Sequence, residues 1–479
     1  MNLTRLTFIG LFLISIFGYS QIELANSYFN SMDYHQALPL YLKAYKKKKN
    51  QDNIGILIKI GDCYRLMKDY SNSATYYRLA ISKGTTDPDV FLHDGMILKS
   101  TGNYEEAEIQ YKRCLELRPG DLLAINGLLS CSEIKKWRLR PKEYDINNLN
   151  NINTRKSEFS PVIWKDRLVF VAERDNDLIN FSTYEFNGQP FLNVFSTTLE
   201  DERGGKVTEF SKKLNTKYHD GPVSFSKDGN TIFYTRVKYH ADRKNKEFVN
   251  RAKIYYSEMK GTHPKKETML TFDSDNYSIA HPSISADGNR LFFSSDKPGG
   301  FGGFDIYVST KSETGWGEPV NLGPDINTIG NEEFPFIRED SILFFSSDGL
   351  PGFGGLDIFS AKEYTGKWIL RRNEGVGIND FTDDFGIFFL ADKSGYFSSD
   401  RPGGKGSDDI YRFSFVDKST EVSGYVLTAL DTSKPASEHK IVLLDSAGNV
   451  IAKGSTDKRG FFKFDNLEDR KSTRLNSSH

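Results

Sequence analysis

Apolar residues in the first 140 positions recur with the spacing of helices, and the pattern itself repeats about every 34 residues. The clearest copy has a small residue at Gly95, a turn at Gly102 and a large aromatic residue at Tyr111. Two earlier copies begin near Ala25 and Gly61. Each copy has two apolar stretches separated by a turn. The pattern therefore predicts three helix pairs, followed by a capping helix in residues 122–137.

This helical part resembles the tetratricopeptide repeat, in which each helix pair buries its apolar face only against its neighbours. The resemblance implies an α-solenoid of three tetratricopeptide repeats over residues 21–140, with a concave groove that accepts a peptide or a helix. For each groove position the alternative is a solvated polar side chain without a partner. The positions that face the groove in the family correspond to Asn26, Asn30, Asp62, Arg65, Met96 and Lys99.

All three cysteines, Cys63, Cys114 and Cys131, fall in this helical part. Cys114 stands where the other two copies have alanine, so burial in the core as an unreactive residue is the simplest expectation. A reactive thiol is the alternative. Three cysteines in 479 residues exclude a disulfide scaffold and a Cys-based zinc module.

After Pro141 the apolar period changes to 2, which indicates strands. Five starting strands follow one another near residues 161, 222, 282, 335 and 385, and Asp-Gly turns such as 228–229 and 287–288 predict hairpins. A period near 50 residues with several strands per unit is typical of propeller blades. We therefore expect a five-bladed β-propeller over residues 141–418, with six blades as the alternative. The amino-acid sequence of these repeats resembles that of TolB-type, WD-like propellers.

The ring of blades also has a candidate closing strand. Four units are expected to end with a fourth-strand stretch that leads into a linker, and examples are the similar stretches 213–216, 325–328 and 377–380. The last unit, ending near residue 415, lacks such a stretch, and a spare copy precedes the first unit at residues 144–154. We therefore expect this N-terminal segment to complete the last blade.

A Gly-rich loop occurs three times with a constant step of 52 residues. Two aspartates nine residues apart flank each loop and could bind Ca²⁺ through their oxygens. In the alternative interpretation the first aspartate accepts turn amides and the second ties the loop to the next strand. Repetition in every well-formed blade favours this structural role, so no metal site is assigned. The aspartates are Asp296 and Asp305, Asp348 and Asp357, and Asp400 and Asp409.

The two ends of the chain need separate interpretation. Residues 1–20 are predicted to be a cleaved signal peptide, because Arg5 is followed by an apolar run over residues 6–17 and by small residues before Gln21. A membrane anchor is the alternative, but the apolar run is too short to span a bilayer. Residues 419–469 resemble the carboxypeptidase regulatory-like β-sandwich, in an incomplete form. Residues 470–479 are predicted to be a non-native tail, with a disordered native tail as the alternative.

Charge and motifs exclude several function classes. The formal net charge is −1, with 5 excess basic residues in 21–142 and 10 excess acidic residues in 143–469, which argues against nucleic-acid binding. The common nucleophile, zinc-protease, phosphate-loop and dinucleotide motifs are missing, and the eight histidines show no ligand-like pairing. We therefore assign no catalytic residue, no cofactor and no metal. No transmembrane segment is expected after signal cleavage.

The order of these parts resembles the exported OmpA-family proteins, including the peptidoglycan-associated subunit of type IX secretion. The resemblance implies a non-enzymatic scaffold in the periplasm, associated with the outer membrane, that binds envelope proteins through its groove and its propeller. Binding to peptidoglycan is implied only through an OmpA-like domain that would follow residue 469 and is missing from this chain. A secreted propeller enzyme or carbohydrate-binding protein is the alternative.

Overall fold

The computed structural model divides the chain into two compact units, residues 1–414 and 415–479. It describes residues 20–139, 144–174, 190–199, 204–242, 247–272, 274–339, 341–391, 393–415, 420–428, 431–445, 448–467 and 473–477. Apart from Ser20, the predicted signal peptide lies outside these residues. Among the described helices, none is long and apolar enough to cross a membrane.

Residues 20–139 form seven α-helices, as the tetratricopeptide-like pattern predicts, and one short 3₁₀ helix at Lys48–Asn50. Most begin at a Ser, Asp or Asn whose side chain accepts a hydrogen bond from an amide of the first turn. The short connections between them make successive helices antiparallel neighbours. The helices are α1 (Gln21–Asn30), α2 (Tyr34–Tyr45), α3 (Ile54–Leu66), α4 (Tyr70–Ser82), α5 (Pro88–Lys99), α6 (Tyr104–Leu117) and α7 (Leu122–Arg138).

The second and third helix pairs pack around a buried tyrosine of their second helix. A Cβ atom at Gly61 would lie 2.7 Å from the Tyr77 ring, and one at Gly95 would lie 2.9 Å from the Tyr111 ring. Real Cβ atoms do not approach this closely, so a larger residue would push the two helices apart. This explains the small residues of the repeat. The three cysteines are buried, as expected.

The rest of the first unit is a five-bladed, propeller-like arrangement of antiparallel sheets, which confirms the five-blade prediction. Each blade runs from an inner to an outer strand. The propeller begins with β1 (Tyr144–Asn148). Blade 1 has β2 (Glu158–Trp164), β3 (Arg167–Ala172), β4 (Asn193–Thr198) and β5 (Thr208–Glu209), and blade 2 has β6 (His219–Phe225), β7 (Thr231–Asp242), β8 (Glu247–Lys260), β9 (His263–Pro264) and β10 (Thr268–Met269). Blade 3 has β11 (Ile279–Ile284), β12 (Arg290–Ser295), β13 (Asp305–Ser312), β14 (Gly315–Trp316) and β15 (Val320–Asn321); blade 4 has β16 (Glu332–Ile337), β17 (Ile342–Ser347), β18 (Asp357–Tyr364) and β19 (Lys367–Asn373); and blade 5 has β20 (Asp384–Ala391), β21 (Ser394–Ser399) and β22 (Asp409–Phe415).

The ring closes through β1, as the sequence predicts. The strand order of blade 5 is β1–β22–β21–β20, so the outermost strand comes from the beginning of the propeller. Just after β1, the amide of Leu149 donates to the carbonyl of Ile410 at 3.1 Å. The first and last blades are therefore tied together by backbone hydrogen bonds, as in propellers that close with a mixed blade.

Four linkers between blades hold an asparagine that clamps the third strand of the preceding blade. The side chain of Asn327 accepts the Ile306 amide at 2.8 Å and donates to the Ile306 carbonyl at 3.0 Å. Fourth strands end earlier, at Glu209, Asn321 and Asn373, because these asparagines satisfy the next backbone pair and release the chain to the following blade. The stretches 213–216, 325–328 and 377–380 are therefore linkers, which corrects the fourth-strand interpretation. The other clamps are Asn153 on Ile410, Asn215 on Val194 and Asn379 on Ile358.

The inner strands of all five blades share a bulge. In each strand the pairing register shifts by one residue, and the bulged residue has a positive φ. A bulge bends a strand and increases its twist, which suits the tight curvature around a central channel. These residues are Ser160 (φ 51°), Gly221 (102°), His281 (55°), Phe334 (51°) and Gly386 (61°).

The second unit is built from short antiparallel sheets. Its small core contains Ile441, Leu443, Phe462 and Phe464. Residues 473–477 lie in the segment predicted to be a non-native tail, and they form β29, which pairs with the edge of β26 through its unpaired backbone groups. The strands are β23 (Thr420–Tyr425), β24 (Leu427–Thr428), β25 (Asp431–Pro435), β26 (Lys440–Asp445), β27 (Val450–Ser455), β28 (Phe461–Leu467) and β29 (Thr473–Ser477).

Candidate functional site

The predicted groove residues lie on the first helices of the three pairs, α1, α3 and α5. Two of them accept hydrogen bonds from the core tyrosines: Asn26 from the Tyr41 hydroxyl at 2.6 Å and Asp62 from the Tyr77 hydroxyl at 2.7 Å. Arg65 also donates to the Tyr77 hydroxyl, at 3.2 Å. The tyrosine row thus fixes the orientation of the polar residues at this end of the groove. Asn30 is exposed.

The other end of the groove is occupied by the propeller. On α7 the amide of Asn126 donates to the Gly349 carbonyl at 2.7 Å, and the hydroxyl of Ser130 accepts the Gly352 amide at 3.1 Å. These two positions stand 34 residues after Leu92 and Met96, so they continue the groove face of α5. The loop of blade 4, residues 349–355, therefore lies in the last part of the helical groove.

Phe353 anchors this loop in the helical core. Its side chain is 4% exposed and joins the apolar cluster formed by α5, α6 and α7. Its ring lies 5.3 Å from the Trp137 ring, and its carbonyl accepts a hydrogen bond from the Tyr104 hydroxyl at 2.8 Å. An aromatic residue that is buried with its backbone groups paired has the character of an interface hot spot.

Lys99, one of the predicted groove residues, belongs to this docked surface. It is 5% exposed and carries its charge towards the propeller aspartates. Burial raises the pKa of Asp357 to about 7, and the Lys99 ammonium opposes that shift. Met96, half-buried, lies with Asn126 and Leu350 at the edge of the same contact. The predicted groove therefore divides into an accessible part, with Asn26, Asn30, Asp62 and Arg65, and a part covered by the propeller.

A second contact places Lys68 at the mouth of the propeller channel. Lys68 lies in the turn between α3 and α4, and its Nζ is 2.7 Å from Asp383 Oδ2 and 3.9 Å from Asp408 Oδ1. Burial opposes ionisation of Asp383, but the Lys68 ammonium outweighs it, so the pKa of Asp383 lies below its usual value. The helical part thus supplies the cation for an acidic end of the channel.

Other carboxyl groups near this mouth have raised pKa values. Burial raises the pKa of Asp400 to about 7, and the negative charge of Asp383 adds to the shift. Burial likewise raises the pKa of Glu333 to about 7, with Asp348 as the strongest neighbouring charge. The acids here outnumber the lysines that face them, Lys68 and Lys99, so protonation of some of the acids reduces the repulsion.

The central channel contains a cavity of about 420 Å³. Its walls are the inner strands of the blades, and its lining combines prolines of these strands with large apolar side chains. His281 stacks on Phe334 at 3.9 Å between ring centres, next to the acidic mouth. Large apolar residues of the lining include Trp164, Phe225, Ile284, Phe336 and Phe388.

The six loop aspartates bond the backbone within their own blades. The second aspartate of each loop accepts loop amides: Asp305 from Phe301 at 2.6 Å, Asp357 from Gly354 at 3.0 Å, and Asp409 from Gly406 at 3.1 Å. The first aspartate accepts the amide that precedes the inner strand, because the antiparallel pairing brings the end of the second strand beside it. The amide of Ser278 donates to Asp296, that of Asn331 to Asp348 and that of Asp383 to Asp400.

The first aspartates thus contact a different part of the blade from the turn amides expected from the sequence. Within the described ranges no group of three or more His, Cys, Asp or Glu side chains is arranged for a metal ion.

Sequence reasoning missed Lys68 and Phe353, and only the loop of Phe353 departs from its repeat. Lys68 has φ 60° at a turn position where the first copy has Met32 with φ 60° and the third has Gly102 with φ 76°, so a side chain at this position is not unusual for the repeat. In the loop of blade 4, Gly349 and Leu350 replace the Lys-Pro or Arg-Pro of the other two copies. That departure from the repeat marks the loop that docks on the helices.

The comparisons with known proteins agree with the helical part of this description. The family profile described as tetratricopeptide repeat matches residues 54–82 and 91–121. A search of curated proteins finds no match to this chain. The helical part is therefore a tetratricopeptide-repeat array, and such repeats imply a scaffold for protein–protein interaction.

Solved structures that resemble the chain align with about a quarter of it. The first TPR domain of Spaghetti (RPAP3), bound to an HSP90 peptide, has 23% identity and a TM-score of 0.23, covering 24% of this chain and 90% of that one. YrrB, a TPR protein with an unusual peptide-binding site, has 21% identity and a TM-score of 0.23, covering 24% and 58%. The Yersinia enterocolitica type III secretion chaperone SycD, in complex with a peptide of the translocator YopD, has 17% identity and a TM-score of 0.23, covering 24% and 92%.

Proposed function

We propose that the protein is a non-enzymatic scaffold of the bacterial cell envelope, exported to the periplasm and associated with the outer membrane. The observation that carries the proposal is the fixed contact between the helical groove and the propeller. Phe353 and Lys68 hold the two repeat arrays together, while the part of the groove around Asn30 and Arg65 stays accessible. A rigid pair of repeat surfaces suits a protein that holds other proteins in place.

The partner proposed for the accessible groove is an extended peptide or a helix of an envelope protein. Asn26, Asp62 and Arg65 offer hydrogen-bond acceptors and donors that the core tyrosines hold in place. Groups that are ordered before binding lose less conformational entropy when the partner arrives. The alternation of amide, acid and guanidinium favours a partner with both polar backbone groups and mixed charge.

The envelope location rests on the predicted signal peptide and on the resemblances to the OmpA, TolB-type propeller and carboxypeptidase regulatory-like families. The proposed link to peptidoglycan rests on the OmpA resemblance alone. Two measurements test these points: fractionation of cells that produce the full-length protein, and the genomic reading frame beyond residue 469. An OmpA-like sequence there supports the link, and a stop codon at that point contradicts it.

A retention experiment tests the scaffold function. Tagged wild-type protein and the variants Asn30→Arg and Arg65→Glu are incubated with envelope extract, and the retained proteins are identified by mass spectrometry. Lys112→Glu is the matched control, because Lys112 is exposed on α6 and contacts Glu108 of its own helix. We expect the groove variants to lose a protein that wild type and the control retain. Equal retention by all four, or no envelope protein retained by wild type, would contradict the proposal.

The channel cavity supports a second candidate, a secreted carbohydrate-binding protein or enzyme. A cavity of about 420 Å³ with Trp164 and five phenylalanines in its lining has the size and character of a small-ligand site. Titration with a panel of oligosaccharides, followed by tryptophan fluorescence, tests the idea with Trp164→Leu as the control. Saturable quenching that the variant loses favours this second function, and a hydrolase assay on the same panel then separates binding from turnover.

A further inference from the structure

The docked loop of blade 4 has a close copy in blade 3. Residues 300–303 and 352–355 have the same sequence, Gly-Phe-Gly-Gly. In each loop one further residue, Phe304 or Leu356, leads into the third strand of the blade, which begins at Asp305 or Asp357. The copies place Phe301 where blade 4 has Phe353, one period of 52 residues apart. Phe301 therefore stands at the position of the residue that anchors the propeller on the helices.

The two loops also share their hydrogen bonds. The amide of Gly303 donates to Gly330 at 2.8 Å, and that of Gly355 donates to Thr382 at 3.1 Å. The second aspartate of each loop, Asp305 or Asp357, accepts amides near the phenylalanine. The residue before this aspartate is held in each case by the next linker, Phe304 through Asn331 and Leu356 through Asp383. Loop conformation is thus a property of the blade, and docking on the helices is not needed to create it.

The surroundings of the two phenylalanines differ. Phe353 is 4% exposed, whereas Phe301 is 47% exposed. The carbonyl of Phe353 is paired with Tyr104 and the amide of Gly352 with Ser130, both from the helices. Within the described part of the chain, the carbonyl of Phe301 has no hydrogen-bond partner. At residues 300–303 the blade 3 loop thus presents an aromatic side chain in the backbone arrangement that binds a helix pair in blade 4, while Lys297 and Pro298 stand where blade 4 has Gly349 and Leu350.

We propose that the Phe301 loop is a docking site for a pair of antiparallel helices of another protein. The partner is a helical hairpin that provides an apolar notch with an aromatic ring, as Trp137 does, and a hydroxyl donor for the loop carbonyl, as Tyr104 does. A second copy of this chain is not the partner, because its own α6–α7 notch is filled by its own Phe353. The proposal deepens the scaffold function and rests on it only in taking the propeller as a protein-binding surface.

Site-specific photo-crosslinking of the full-length protein tests this proposal. Benzoylphenylalanine replaces Phe301, and the protein is irradiated in envelope extract, after which crosslinked peptides are mapped by mass spectrometry. Position 353 is the positive control, because the same probe there should crosslink to α6 or α7 of its own chain. Tyr364, 65% exposed at the end of β18, is the negative control.

We expect an adduct from position 301 whose partner residues lie in two sequential helices of one protein. Retention of that protein should fall at least about tenfold in Phe301→Ala and recover in Phe301→Tyr, as for an aromatic anchor. Adducts within a second copy, adducts to strands, absence of an adduct, or unchanged retention in Phe301→Ala would overturn the proposal. Arg65→Glu separates the two functions: loss of groove partners with retention of the position 301 adduct shows that the groove and the loop act independently.

Discussion

The ammonium of Lys68 lies 2.7 Å from the carboxylate of Asp383 and so joins the turn between α3 and α4 to the mouth of the propeller channel. Asp383 is 8% exposed and Lys68 is 52% exposed on the side chain. The pair is therefore intermediate between exposed ion pairs, which contribute little to stability, and buried ones, which are costly to break. It connects residues 315 positions apart in the sequence.

Replacing Lys68 with methionine should destabilise the first unit by about 1–2 kcal/mol, because Asp383 keeps its burial and loses its cation. Urea denaturation measures the change. Asp383→Asn in the same background should recover part of the loss, since the buried group is then neutral. Lys112→Met, which breaks only the exposed pair with Glu108, is the matched control and should change stability by less than about 0.5 kcal/mol. Equal effects of Lys68→Met and Lys112→Met would show that the contact does not hold the arrays together.

Phe353→Ala should have a larger effect than the ion pair. The substitution empties a site packed against Trp137 and leaves an apolar cavity in the helical core, which for a buried phenylalanine costs about 3–5 kcal/mol. Phe301→Ala is the internal control, because the same residue in the same loop is 47% exposed there and should cost less than about 1 kcal/mol. Thermal unfolding compares the two. Similar losses would mean that the Phe353 contact adds nothing to the stability of its loop.

The two repeat arrays could be predicted from the sequence because repetition multiplies weak signals. The small residues at Ala25, Gly61 and Gly95 recur at a spacing that only stacked helix pairs explain, and the 52-residue step of the Gly-rich loops fixes the blade period. The closing strand β1 could be predicted because it copies part of a linker that the last unit lacks.

The contact between the arrays could not be predicted in the same way, because it depends on single residues and not on a repeated pattern. Lys68 stands at a turn position that holds Met32 and Gly102 in the other copies, and Leu350 replaces a proline. Each of these residues alone is compatible with an ordinary surface. The position of Lys99 in the groove could be predicted from the repeat. Its burial could not, because the loop that buries Lys99 lies some 250 residues further along the chain. Long-range packing of this kind leaves no periodic pattern.

Asn327→Ala should weaken the junction between blades 3 and 4. Asn327 is 2% exposed, and its amide group pairs with both the amide and the carbonyl of Ile306. Without it these backbone groups stay buried without partners, which costs about 2–3 kcal/mol. Hydrogen exchange at the Ile306 amide should accelerate, while exchange at Ile232 in blade 2 serves as the internal reference. Unchanged exchange at Ile306 would show that the third strand is held without the clamp.

The buried carboxyl group of Asp94 should make the stability of the protein depend on pH. This residue on α5 is fully buried, and neither carboxylate oxygen has a hydrogen-bond partner among the described residues. Burial raises its pKa to about 6; the charge of Arg78 opposes the shift and that of Glu106 adds to it. The pKa in the unfolded chain is about 4, so the folded protein holds the proton more tightly. Proton binding by Asp94 therefore contributes fully to the stability of the folded protein below about pH 4, and this contribution is lost as the pH rises through about 6.

Asp94→Asn keeps the side chain neutral at every pH and should remove this loss. A shift of about two pKa units corresponds to roughly 3 kcal/mol, so the variant should be more stable than wild type at pH 8 by up to about that amount and no more stable at pH 4. Urea denaturation at both pH values measures the difference. Asp52→Asn is the matched control, because the Asp52 side chain is 94% exposed and its substitution should give the same small change at both pH values. A benefit of Asp94→Asn that is equal at pH 4 and pH 8 would mean that its cause is packing, since only a titrating carboxyl makes the benefit grow with pH.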